Sequence, residues 1–232
     1  MSGDLSTGEG IPEAVAGVDV VVHCAGSAKG DDVKASHLVA AAAETGVGHL
    51  VYISVVGADK VPIKSAIDRA MFGYYAAKYG GEQAIAGSGL PWTIQRATQF
   101  HDLTFATVSA LAKLPVVPVP SGWRFQPISS GEVADRLVAL SLAPPAGHTP
   151  DMGGPRIYDM DELVRTYLDA TGKNRPLLRL PLPGAANRVF KKGVNLASDR
   201  VVGEETWEDF LASRLEDLAR PDSSRKTSRQ PT

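Results

Sequence analysis

The chain has 232 residues, 44% of them hydrophobic, which is enough to bury a sizeable core in one domain or in one domain plus a small lobe. Its 24 basic and 26 acidic residues leave a formal net charge of -2, a balance that argues against a nucleic-acid partner or an anionic membrane surface. The single cysteine, Cys24, excludes an internal disulfide and fits a reducing, cytoplasmic compartment; no Cys/His spacing suits a metal, no apolar run nears the roughly 18 residues of a membrane span, and the start does not read as a signal peptide.

The first apolar run, Val18-Asp-Val-Val-Val-His23, is short and β-branched and reads as a buried parallel strand ending at Ala25-Gly26. Asp31 and Asp32 are placed to cap a helix carrying Leu38, Ala41, Ala42 and Thr45 at helical spacing, with Gly46 as its stop. His49-Leu-Val-Tyr-Ile-Ser54 reads as a second strand. A loop with Gly57 and Pro62 leads to a long helix over about residues 66–86, with Gly87 and Gly89 beyond it, and Pro91-Trp-Thr-Ile-Gln-Arg96 forms a third strand. Strand and helix alternating at this spacing predict a parallel sheet with helices on both faces.

After residue 97 the rhythm changes. Helices are expected over 100–113, from about Glu132 to Leu142 with Ser129 or Ser130 as cap, over 161–170 with Gly172 as stop, and over 205–218. Pro115–Pro120, Phe125–Ile128 and residues 177–182 read as extended pieces, and a loop runs through Pro144, Pro145, Gly147 and Pro150. The tail from Pro221, with Arg225, Lys226 and Arg229 among Ser, Thr and Pro, is expected to be disordered and solvated.

Eight blocks occur in a fixed order: "GDL", "VVVHCAG", "HLVYIS", "YYAAK", "SGLPWTIQRATQF", "FQPIS", "GGP" and "TWEDFL". Together they resemble the atypical short-chain dehydrogenase/reductases of the NmrA-like kind over about residues 3–213. The resemblance implies an α/β fold: an incomplete Rossmann-type parallel sheet flanked by helices, with a small mixed α/β lobe on the carboxy side. Residues 1–98 would be the partial NAD(P)-binding domain, 99–218 a helical and mixed substrate lobe with some return to the core, and 219–232 a tail. The family pattern opens with a strand, a Gly-rich turn, a helix and two more strands ahead of "GDL", about 60 residues that have no counterpart here. Neither G-x-G-x-x-G nor a P-loop occurs. The expectation is therefore a weakened pyrophosphate grip, and a first strand exposed as an apolar edge that a partner or a second copy would cover. A misassigned start or a fragment is the other reading of the same gap.

By resemblance, Tyr74 and Lys78 are the catalytic Tyr-x-x-x-Lys pair, one helical turn apart on one face. The ammonium is expected to favour the phenolate and bring Tyr74 toward neutral pH from its usual value of about 10, while Lys78 also bonds the nicotinamide ribose. Cofactor contacts are expected from Asp4, Leu5, Ala25, Gly26, Ser54, Lys78, Ala97 and Thr98, with Gln99 beside them. Phe100, His101, Trp123, Phe125 and Gln126 are expected to line a substrate pocket. Where the reductase pattern has a Ser or Thr to polarise a carbonyl, this chain has Val56, which cannot donate a hydrogen bond.

The residues also admit plainer roles. Tyr74 and Lys78 could be surface residues of an amphipathic helix, Asp4 an amino-terminal cap, Gly26 a turn glycine, and Thr98 a helix cap. His23 reads as a core histidine, Arg96 as the partner of a carboxylate, and Cys24 as a small buried hydrophobe. Gly153 and Gly154 fit a turn. Two functions follow: an NAD(P)-dependent oxidoreductase acting on a small organic substrate, with NADP favoured over NAD, or a non-catalytic dinucleotide sensor or interaction protein of the same fold. A truncated product without a stable fold is a third possibility.

Overall fold

A computed structural model describes residues 3–26 and 30–220. In chain order it contains α1 (Ile11–Val15), β1 (Val20–His23), α2 (Asp31–Thr45), β2 (His49–Val55), α3 (Ala66–Ala86) and β3 (Trp92–Ala97). Then follow α4 (His101–Leu111), β4 (Val117–Pro120), β5 (Arg124–Phe125), α5 (Ser130–Ser141), β6 (Gly147–His148) and β7 (Tyr158–Asp159). The chain continues with α6 (Met160–Ala170), β8 (Leu177–Leu180), α7 (Ala185–Lys191) and α8 (Trp207–Ala219). The tail read as disordered lies, from Pro221 on, outside the described residues.

Four strands form one parallel sheet in the order β1-β2-β3-β6. Strand β2 is buried along its whole length because both faces are covered. Leu50 and Tyr52 face α1, α2 and α3, where they meet Leu38, Ala41, Ala42 and Ile85. Val51 and Ile53 face α5, where they meet Val133, Leu137 and Leu140. The alternation follows from the strand's two-residue period. The expected α/β fold, a parallel sheet flanked by helices, is the fold observed.

Local signals fixed most boundaries. The alanine-rich α2 ends at Gly46, whose φ of 76° is the left-handed conformation that glycine adopts without strain, and whose N–H closes onto the Ala42 carbonyl. Helix α3 starts at Ser65, whose hydroxyl accepts the Asp68 N–H at 3.0 Å. The caps expected elsewhere are not formed. The cap position of α2 belongs to Gly30, and the Asp31 carboxylate is turned inward to an ion pair with Lys78. Ser129 makes no capping bond at α5, while the Ser130 hydroxyl donates to Asp102. Asp4 accepts from the Ser6 N–H in a turn and caps no helix.

The carboxy-side lobe packs α4, α6 and α8 around Trp207, Tyr158, Leu163, Val164 and Leu211, with the parallel pair β4–β8 along one side. Trp207 is wholly buried and donates its indole N–H to the Leu163 carbonyl at 3.2 Å. Gly153 and Gly154 are packing glycines: a Cβ on Gly154 would stand 1.7 Å from the Pro127 carbonyl oxygen. Helices α1 and α7 and strands β6 and β7 are additions to the expected elements. Two-residue strands and helices of five and seven residues carry too little periodicity to be seen in sequence. Among the described residues no helix is long and apolar enough to cross a membrane.

Candidate functional site

The carboxy-terminal ends of β1, β2 and β3 open into one cavity of about 560 Å³. Parallel sheets place ligands there, because the strands end together and the loops that follow diverge. Cys24 and Gly26 follow β1, Ser54 and Val55 end β2, and Ala97, Thr98 and Gln99 close and follow β3; all of them line the cavity. Helix α3 adds Met71, Phe72, Tyr74, Tyr75 and Lys78, whose spacing of three and four residues puts them on one helical face. Phe100, Trp123, Phe125 and Phe190 close the far side.

Lys78 is buried. Its ammonium donates to the Ile53 carbonyl at 3.2 Å and pairs with the Asp31 carboxylate at 3.2 Å. It also lies 4.9 Å from the Tyr52 ring centre and 5.9 Å from that of Tyr74. An ammonium has three N–H donors, so one remains for a ligand hydroxyl. Gly26 sits directly over this pair: a Cβ there would come within 2.9 Å of the Lys78 nitrogen and 3.3 Å of the Asp31 carboxylate. The glycine keeps that approach open. The Ser54 hydroxyl is buried at the cavity wall without a hydrogen-bond partner, and so is the Gln99 side-chain oxygen. A buried polar atom without a partner is costly, and a ligand can supply one.

The electrostatics differ from the expectation. Burial, with the Asp31 carboxylate second, raises Tyr74 to about 12, so Lys78 does not bring it toward neutral pH. Burial is the larger cause, and the Asp31 carboxylate, paired with Lys78, adds to it. Tyr74 is a phenol at neutral pH, a proton donor. His23 stacks on Tyr52 at 5.2 Å and is pushed down to about 4, first by burial and then by Lys78 and Lys34 against the opposing Asp31.

Of the residues singled out in sequence, Gly26, Ser54, Tyr74, Lys78, Ala97, Thr98, Gln99, Phe100, Trp123 and Phe125 come together at this cavity. Others do not. His101 is wholly buried, in ring contact with both Trp207 and Phe210, with its Nε2 at 3.0 Å from the Glu205 carbonyl. Gln126 is buried with its amide spent on the Gly154 carbonyl and the Ala197 N–H. Both hold the carboxy-side lobe together and do not line the cavity. Asp4, Leu5 and Ala25 do not line it either; Leu5 packs beside α1 and α2. Thr98 caps no helix: its hydroxyl donates to the Gln126 carbonyl. Cys24 is exposed at the cavity, not buried, because it stands past the end of β1. Arg96 and His23 have the roles expected, since Arg96 pairs with Glu82 and His23 lies in the core. Asp31, Tyr75 and Phe190 were missed. The helical spacing of Met71, Tyr74, Tyr75 and Lys78 could have found Tyr75; Phe190 has no local signal.

Comparison with known proteins agrees with this geometry. Residues 1–143 match the sequence profile of the NAD(P)H-binding family. No curated protein matches the sequence. Among solved structures, a nucleoside-diphosphate-sugar epimerase from Staphylococcus aureus superposes with a TM-score of 0.64 at 18% identity, covering 90% of this chain and 81% of its own. An NADPH-dependent quinone oxidoreductase from Escherichia coli, complexed with NADPH, gives 0.69 at 15% identity, covering 92% and 82%. The triphenylmethane reductase of Citrobacter gives 0.60 at 17% identity, covering 91% and 76%. At these identities the likeness is one of fold. The profile match spans more than half the chain, and with the cavity at the strand ends it shows that this protein belongs to the NAD(P)H-binding family of Rossmann-type fold.

Proposed function

We propose that this protein is an NAD(P)H-dependent reductase of a small, neutral organic substrate, with Tyr74 as proton donor and Lys78 as the residue that orients the cofactor ribose. The observation that carries this reading is the meeting of Gly26, Ser54, Tyr74 and Lys78 at one cavity on the carboxy ends of the sheet. NAD(P)H, held at Gly26, Ser54 and Lys78, would supply hydride chemistry at the substrate carbon. Tyr74, a phenol up to about pH 12, gives its proton to the substrate oxygen, so that hydride and proton together add across a C=O bond. The remaining N–H of Lys78 is free for a ribose hydroxyl, and the Ser54 hydroxyl for the nicotinamide end or the carbonyl. NADP is favoured over NAD by the resemblance in sequence, and a cytoplasmic location belongs to the same reading.

The test is NADPH oxidation with a panel of neutral carbonyl compounds and quinones, by the wild type and Tyr74→Phe. The substitution should lower kcat/KM by about 10²–10⁴-fold and leave NADPH affinity by calorimetry unchanged. Equal turnover in both proteins would remove Tyr74 from the chemistry. A second reading, a non-catalytic dinucleotide sensor, is favoured by Val56 standing where a hydroxyl would polarise a carbonyl. Tight NADPH binding with no turnover on any substrate would select it.

Self-association completes the proposal. Among the described residues β1 is paired on one side only, by β2, and Val18 and Val22 are exposed beside its open edge. An unpaired apolar edge is a template for another strand. Light scattering at tens of micromolar should give a mass above the monomer, and Val22→Lys should return it to the monomer; a monomer throughout would end this part of the proposal.

A further inference from the structure

A second cavity of about 140 Å³ adjoins the first. Gln99, Leu103, Thr107 and Phe125 line both, so they form a neck between two chambers. Thr104, Val108, Met160 and Leu163 line only the inner one. The walls of the outer chamber are rings in mutual contact: Trp123 stands 4.7 Å from Phe190 and 5.4 Å from Phe72, and Phe125 stands 5.7 Å from Phe190. Such walls favour a flat, apolar ring. Among the described lining residues of both chambers Lys78 is the sole ionisable cation, and Asp31 pairs with it. A phosphate or carboxylate on the substrate would therefore lose its hydration without gaining a counter-charge. At the neck, Gln99 is only 9% exposed, its Nε2 donates to the Tyr75 hydroxyl at 3.3 Å, and its Oε1 has no partner. The Tyr75 bond holds the amide in place beside the passage.

Resting on the reductase reading, we propose that the substrate is an uncharged ring compound bearing an aliphatic arm, with the ring in the aromatic chamber and the arm passing Gln99 into the chamber between Thr104, Val108, Met160 and Leu163. Nucleotide-linked sugars and small organic acids find no unpaired cation on the described walls. The inner chamber sets specificity by the length of the arm it can hold.

The experiment is calorimetric titration of the full chain with a series of 4-alkylacetophenones, methyl to hexyl, with and without NADP+. Affinity should rise about fourfold per added methylene while the arm fills the inner chamber, then level off. Thr104→Phe, which fills that chamber, should flatten the rise while binding the methyl homologue as the wild type does, and this homologue is the check on its fold. Met160→Ala, which enlarges the chamber, should move the levelling point to a longer arm. A wild-type affinity indifferent to arm length overturns the proposal, and so does a rise that persists unchanged in Thr104→Phe. Because binding without cofactor is read directly, the arm effect can survive the loss of the reductase reading: a chain that shows it yet neither binds nor oxidises NADPH refutes that reading alone.

Discussion

Burial shifts Tyr74 and His23, both near Lys78, in opposite directions. The Tyr74 phenol, raised to about 12, must be protonated to act, and it loses its proton only as pH rises through that value. The pH profile of kcat/KM should therefore be flat from about pH 6 to about pH 9, without the alkaline fall that a phenol near neutrality would give. A fall centred near neutral pH would show another group in control. His23 is neutral in the fold and pushed down to about 4, below the ordinary value of about 6.5. As pH falls, the unfolded chain takes up this proton first. The stability that neutral His23 contributes is thus complete above about 6.5 and lost progressively down to about 4, by roughly 3 kcal/mol. His23→Phe keeps a ring on Tyr52 and should remove that part of the acid sensitivity in urea unfolding at pH 7, 5 and 4. An unchanged dependence would assign it to other groups.

Between elements, Arg96 of β3 is joined to Glu82 of α3 by a bidentate ion pair. The guanidinium spans both carboxylate oxygens, at 2.8 and 2.6 Å, and reaches Asp59 at 2.8 Å. Glu82 is almost fully buried, so removing its partner strands a charge. Arg96→Ala should cost about 3–5 kcal/mol in urea unfolding, and Arg96→Met combined with Glu82→Leu should recover most of it. A small loss in the single variant would mean that the pair carries little of the stability. At this scale the sequence was easiest to read: α3 runs 66–86 and β2 starts at His49 as their patterns indicate, because each repeats its period several times between clear stops. Caps were read less well. Asp31 has the composition of a cap, yet its carboxylate finds Lys78, 47 positions along the chain and reached only through the fold.

At the scale of the whole molecule, the chain leaves the sheet after β3, covers its second face with α5, and returns as β6 at its edge. The cavity belongs to both halves of this path. Its floor, Gly26, Ser54 and the Tyr74/Lys78 pair, follows from motifs in the first half and was legible. Its walls were legible only in part: Phe100, Trp123 and Phe125 were, whereas Phe190 arrives from α7, a helix of seven residues with no sequence signal. His101 and Gln126 stand next to true lining residues in sequence, but the neighbours of a lining residue point into the core when the backbone turns at the start of α4 and after β5. The same walls give the protein an optical property. Trp123 is the one tryptophan among those lining the cavity, while Trp207 lies sealed in the carboxy-side core. Dihydronicotinamide absorbs where indole emits, so reduced cofactor in this cavity would draw emission from Trp123 at its wall. The chain thus carries its own reporter of occupancy.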